Sequence, residues 1–174
     1  YLGRFLKSLG LEDADRLRVI SGIIPLGPPA RTYADGALLV GDAAGQAKPL
    51  SGGGLYTGMV AAGCAAQTAL GCLPSGDFGA QALSSYQERW RSAIGKELDR
   101  GMLIRRAYTR LSDRKLEEIG RILGRAEVEQ ILSQGDIDYP AELAPQVLRA
   151  APSLLKLTPA FLGTLFYRPR ETDI

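Results

Sequence analysis

The stretch LLVGDAAGQAKPLSGGGLYTG, Leu38 to Gly58, decides how the rest of the chain is read. An apolar run predicted as a strand, Ala37 to Val40, ends at Gly41-Asp42, and open α/β sheets bind ligands at the carboxyl ends of their strands. Ala43, Ala44 and Gly45 keep the following backbone bare, so its N–H groups are open to a phosphate or a sugar. Pro49 fixes a turn, and Ser51, Gly52, Gly53 and Gly54 then open a helix of small residues running to Leu73. The first N–H groups of that helix carry partial positive charge toward whatever lies in front of them. A carboxylate that accepts from hydroxyls, beside donors that favour an anionic edge, suits a ligand with a polyol at one end and a heterocycle at the other. The competing reading is a tight turn in which Asp42 caps a helix and the glycines serve packing alone.

Working outward, Leu2, Phe5, Leu6 and Leu9 recur at helical spacing and Gly10 marks a helix end. Residues 16–26, RLRVISGIIPL, alternate and are rich in branched side chains, which predicts a strand closed by Pro25; Asp35-Gly36 supplies a turn before the second strand. On the small-residue helix, Gly54, Gly58, Ala61 or Ala62, Ala65 and Ala69 share one face. Phe78 to Leu111 reads as one long helix with Leu83, Tyr86, Trp90, Ile94, Leu98 and Met102 at three- and four-residue steps. Ser112-Asp113 opens another helix, RAEVEQILSQG adds one more before Gly135, and four prolines cut the remainder into helical pieces. The expected organisation is a strand-bearing region over residues 1–73 and a helical region over 74–174, an α+β or α/β class that is mostly helical after a short strand unit.

Composition removes several chemistries. The chain has no histidine, so imidazole acid–base catalysis and the Ser-His-Asp and Cys-His arrangements are excluded, and no metal site is expected. Cys64 and Cys72 fall on one helix about 12 Å apart along its axis, too far for a disulfide, and read as small buried apolar residues in a reducing, cytoplasmic setting. Lys and Arg number 21 against 19 acids, so no global field draws in nucleic acid. No apolar run reaches the ~18 residues of a spanning helix. The chain begins at Tyr1 in what reads as mid-helix, which predicts a piece of a longer protein.

The ordered pattern GDAAG…P…GGG…G is similar to the second FAD-binding motif of the large flavoprotein family that includes aromatic hydroxylases and prenyl reductases. That resemblance implies Asp42 on a ribityl hydroxyl, the Ala43 backbone on a pyrophosphate oxygen, and the backbone of Gly52 to Leu55 on the pyrimidine edge of the flavin. With GIIPLGPPARTYADGALLVGDAAG, YQERWRSAIGKELDRGMLIRRAY and LSDRKLEEIGRIL, the chain resembles the C-terminal half of the geranylgeranyl reductase branch, over most of residues 18–140. The implied fold is the C-terminal part of an aromatic-hydroxylase-like, two-domain flavoprotein. The implied activity is FAD-dependent saturation of isoprenoid double bonds, with NAD(P)H or ferredoxin as electron donor. The Rossmann GxGxxG and the YxWxFP signature are absent here, so the resemblance implies an upstream FAD-binding half as partner, without which the chain is inactive.

A polyprenyl or lipid-like substrate needs an apolar trough, for which Trp90, Met102, Leu103, Tyr108 and the C-terminal LLKLTPAFLGTLFY are candidates, against plain core packing. Lys156 and Arg168 flank that last stretch and suggest a peripheral membrane contact. The basic run RGMLIRRAYTR with Arg114 and Lys115 is a candidate phosphate-binding face, against a solvated one that Glu88, Glu97, Asp99 and Glu117 neutralise. Tyr56 and Tyr33 are the protic aromatics near the motif, but no proton donor is assigned. Three rivals remain: a flavin monooxygenase of the same superfamily; an electron-transfer quinone reductase, whose four-cysteine cluster two distant cysteines do not supply; and a lipid-binding module without catalysis.

Overall fold

The computed structural model describes residues 2–15 and 17–157. Helix α1 (Leu2–Ser8) stops at Gly10, whose φ of +67° ends it as expected, but it buries none of its side chains. Residues 17–24 form no strand. Alternation stabilises a strand only when a neighbour completes the ladder, and here the single pairing is an isolated antiparallel bridge from Leu26 to Gln46. Leu17 and Ile23 stand 97% and 94% exposed. The strands that do form are β1 (Tyr33–Ala34) and β2 (Ala37–Leu38), a short antiparallel hairpin about Asp35-Gly36 with Tyr33 opposite Leu38 and Gly36 at φ +67°. The strand predicted for Ala37 to Val40 therefore stops at Leu38. Leu39 still donates its N–H to the Thr32 carbonyl at 2.8 Å, and Val40 stays extended.

The small-residue helix is α2 (Leu55–Cys72). Gly58 lets it close on the preceding loop, since a methyl at either Gly58 or Gly41 would lie within 4.0 Å of the other's Cα. Cys72 is buried and Cys64 half-buried against the core; both are free thiols.

The long amphipathic stretch is continuous in direction but not in winding. It begins with α3 (Ala80–Leu83) and α4 (Ser85–Trp90), passes through one π-turn over Arg91–Gly95, and continues as α5 (Lys96–Tyr108). The positions picked out by periodicity pack as expected: Tyr86, Trp90, Ile94 and Leu98 form one buried cluster with Ala61 of α2, which Leu38 and Val40 cover. Buried polar atoms inside this cluster are satisfied in sequence. The Trp90 Nε1–H donates to Thr32 Oγ1 (2.9 Å), and Thr32 gives both its hydroxyl and its backbone N–H to Gln87 Oε1 (3.2 and 2.9 Å).

Helices α6 (Asp113–Leu123), α7 (Ala126–Gln134) and α8 (Ala144–Ala150), with Ala151 just after α8, carry a second small cluster of Ile122, Val128, Val147 and Ala151. Ser112 sits at the N-cap of α6 in extended conformation, though its hydroxyl does not cap. Glu97, expected on the solvated face, is instead 2% exposed, and both its oxygens accept the Ala141 N–H (2.9 and 3.2 Å), tying α5 to the turn Pro140–Leu143. Asp99 pairs with Arg91 at 3.9 Å and Glu117 with Arg121 at 3.5 Å.

Burial pushes the Glu97 carboxyl above its ordinary 4.5, against the opposing Ala141 hydrogen bond. A carboxyl with a raised folded pKa favours the fold in its protonated form. This contribution is complete below pH 4.5 and is lost as pH rises through the folded value. Glu97→Gln therefore flattens the stability curve over that rise, while the wild type gains stability relative to the variant on acidification. Urea titrations of both chains between pH 7 and pH 4.5 read the difference directly.

Candidate functional site

The loop from Gly41 to Gly54 is built by three glycines in the left-handed region: Gly41 at φ +64°, Gly45 at +62° and Gly52 at +73°. Between the first two, Gly41–Ala44 makes one 3₁₀ turn, closed by Gly45 N–H to Asp42 O at 2.9 Å. Gln46 locks this turn from inside. Its backbone N–H donates to Gly41 O (3.1 Å) while its side-chain Oε1 accepts the Gly41 N–H (2.7 Å). The Gln46 amide then donates to Tyr86 OH (3.2 Å), which donates to Leu39 O (2.6 Å). Burial raises the Tyr86 pKa and so keeps that phenol a donor.

The second half of the loop is fastened by Lys48, whose backbone N–H donates to Gly53 O (2.9 Å) and whose carbonyl accepts the Gly52 N–H (2.8 Å). Its buried ammonium donates to Asp138 Oδ1 (2.7 Å) and to the Ile137 carbonyl (3.0 Å). Pro49 is buried against α5 at Gly101, where a Cβ would come within 3.1 Å of the proline ring. Arg105 of α5 then donates to the Pro49 carbonyl at 3.1 Å. These fastenings run through Gln46, Lys48 and Tyr86, none of which spacing had singled out for the site. The available signal was a glutamine and a lysine inside an otherwise small-residue loop, where a polar side chain must find an internal partner.

On this scaffold the anticipated residues converge. The Asp42 carboxylate is exposed and lies over the start of α2, so close that a Cβ on Gly54 would sit 2.8 Å from its Oδ1. Among the described residues that carboxylate has no hydrogen-bond partner. No side chain caps α2, and no acid stands in its first turn. Ala43, Ser51 and Leu55 are exposed around the same opening, whereas Ala44, Gly45 and Pro49 are buried beneath it. Not every backbone donor is open: Gly52 N–H is engaged by Lys48, and Gly53 N–H donates to Ser51 Oγ at 3.3 Å. The open donors are those of Gly54, Leu55 and the rest of the first turn, which have no intrahelical acceptor.

The neighbouring aromatics separate. Tyr56 hydrogen-bonds Tyr139 at 3.0 Å with the rings edge-to-face, and this contact, ahead of burial, pushes Tyr139 up to about 12. Tyr33 lies beneath the Arg31 guanidinium, whose carbon is 5.7 Å from the ring centre.

Two cavities flank the loop and share Leu50. One, of about 390 Å³, is lined by Ile24, Leu26, Ser51, Gly52 and Arg105. The other, of about 410 Å³, is lined by Ile104, Tyr108, Ile119, Val147 and Leu154 from α5, α6, α8 and the turn after it. Of the trough residues expected from sequence, Tyr108 and Leu154 line it. Trp90 belongs to the core, Met102 and Leu103 line neither cavity, and the segment from 158 onward, with Arg168, lies outside the described residues. Among the described residues no helix is long and apolar enough to cross a membrane.

No family model matches the chain, and no solved structure does. Curated proteins do. The chain is 36% identical over 148 residues to digeranylgeranylglycerophospholipid reductase 2 of Methanothermobacter thermautotrophicus, covering 82% of the chain and 38% of that protein. It is 34% identical over 156 residues to the digeranylgeranylglycerophospholipid reductase of Methanosphaerula palustris, covering 89% and 37%. With the reductase of that name from Methanocaldococcus jannaschii it shares 33% over 147 residues, covering 84% and 36%. The chain belongs to the geranylgeranyl reductase family, and it spans 36–38% of the length of these relatives.

Proposed function

We propose that this member of the geranylgeranyl reductase family supplies the flavin-ring side of an FAD-dependent reductase acting on isoprenoid chains of a glycerolipid. The observation that carries the reading is the exposed Asp42 carboxylate, without a hydrogen-bond partner among the described residues, set against Gly54 at the start of α2 where no side chain caps. The donor set fits FAD: an acceptor for a polyol, first-turn N–H groups for an anionic edge, and a cradle that a Cβ at Gly54 would fill. Asp42 accepts from a ribityl hydroxyl, the bare backbone at Ala43 receives a phosphate oxygen, and the N–H groups of Gly54 and Leu55 meet the pyrimidine edge. The partial positive charge of the helix start favours added negative charge there, a stabilisation made by backbone alone. Bound FAD, once reduced by two electrons from a donor of the NAD(P)H or ferredoxin class, would supply the hydride.

The fold class follows the same reading, as the C-terminal part of a two-domain, aromatic-hydroxylase-like flavoprotein. The rest of the relatives' length packs on two apolar surfaces left open here: residues 17–24, and the outer face of α2 with Leu55, Met59, Leu70 and Leu73. The test combines the chain with the remainder of a relative's length, FAD, a reductant and a geranylgeranylated glycerophospholipid. Mass spectrometry then shows a pair of hydrogens gained at each reduced double bond. Oxygen incorporation into the product would instead support the monooxygenase reading, and binding of lipid without turnover the lipid-binding module.

A further inference from the structure

We propose that the cavity between α5, α6 and α8 receives the apolar tail of an isoprenoid lipid whose anionic head is held at its mouth by Arg105. This rests on the lipid-reductase reading above and adds a site to it. The cavity is partly open to solvent and measures about 410 Å³, the size of a small-molecule site. Apart from the Tyr108 hydroxyl, its lining side chains are hydrocarbon, including Leu50, Ile104, Ile119, Val147 and Leu154. An apolar lining of this extent suits a hydrocarbon chain. Elsewhere the same helix α5 packs into the core, with Leu98 1% exposed.

The mouth gives the guest its second property. Arg105 lines the adjoining cavity of about 390 Å³, and Leu50 is common to both. One guanidinium nitrogen, Nη1, donates to the Pro49 carbonyl (3.1 Å) and to Tyr108 OH (2.9 Å), which fixes the plane of the group. Among the described residues no carboxylate pairs with it, and its remaining N–H donors are uncommitted. A fixed, half-buried guanidinium with spare donors recognises a phosphate or carboxylate. Ser51 and Gly52 line that second cavity as well, so a lipid anchored at Arg105 lies beside the start of the helix proposed to face the flavin.

The test uses the full chain without flavin and calorimetric titration with geranylgeranyl phosphate, geranylgeraniol and inorganic phosphate. Geranylgeranyl phosphate binds more tightly than either of the others. Ala144→Trp and Leu148→Trp, each filling the cavity from α8, weaken it about tenfold or more. Arg105→Gln weakens geranylgeranyl phosphate about tenfold, the scale of a charge-assisted contact, and leaves geranylgeraniol as in the wild type. Thermal melts identify which tryptophan variant keeps its fold. Unchanged affinity in a folded tryptophan variant overturns the proposal, as does displacement of geranylgeranyl phosphate by inorganic phosphate at equal concentration. Because flavin is omitted, a failed flavin site leaves these titrations intact, and a failed tail site leaves flavin binding intact.

Discussion

Gly45→Ala lowers the stability of the chain by about 2–5 kcal/mol, combining a left-handed backbone forced on a residue with a Cβ and an overpacked contact. Gly45 has φ +62°, and its missing Cβ points into the backbone carbonyl of Gly27. That carbonyl has nowhere to retreat. Gly27 is itself at φ +91° with Met102 of α5 against its open side, where a Cβ would come within 2.9 Å of the Met102 methyl. The matched control is Gly63→Ala in α2, exposed and with nothing within 4 Å of the added methyl. It raises stability by about 0.5–1 kcal/mol, because alanine loses less entropy than glycine in a helix. Denaturant midpoints that fall for Gly45 and rise for Gly63 support this account; equal shifts of one sign contradict it.

Trp90→Ala costs about 3–5 kcal/mol, the range for removing a buried large aromatic. Trp90 is 0% exposed at the centre of the cluster that joins α2, α4 and α5. Its Nε1–H is also the donor to Thr32 Oγ1, which ties the hairpin to the long helix. Trp90→Phe keeps most of the ring packing and loses that donor, so it costs about 1 kcal/mol, the net worth of one ordinary hydrogen bond, beyond its smaller volume change. At about 2–4 °C per kcal/mol for a chain of this size, the alanine variant melts roughly 6–20 °C below the wild type. Calorimetric melts of the three chains separate packing from hydrogen bonding. An alanine variant melting with the phenylalanine one would remove Trp90 from the core.

What the sequence disclosed was local. Gly41, Gly45 and Gly52 stand where the backbone needs left-handed angles, Gly10 and Gly135 stand at helix ends, and the spacing of Tyr86, Trp90, Ile94 and Leu98 found the core. What it concealed depends on contacts between distant residues. Gln46 meets Tyr86 40 positions away, Lys48 meets Asp138 90 away, and Glu97 meets Ala141 44 away. No periodicity encodes such pairs. The alternation at residues 17–24 misled for a related reason: it records which side chains suit a ladder, whereas the ladder itself requires a second strand, and the described residues provide one bridge. In the candidate site, the motif named the residues proposed to face a ligand, whereas Gln46 and Lys48, which hold that loop in place, carried no spacing signal.

The most direct measurement of the central claim is a fluorescence titration of FAD onto the chain joined to the remainder of a relative's length, with wild-type Asp42 and with Asp42→Ala. Loss of a charge-assisted acceptor predicts about ten- to a hundredfold weaker FAD binding in the variant, with its melting temperature unchanged because Asp42 is exposed and has no partner among the described residues. Equal FAD affinity for the two proteins would contradict a flavin site between Gly41 and Leu55.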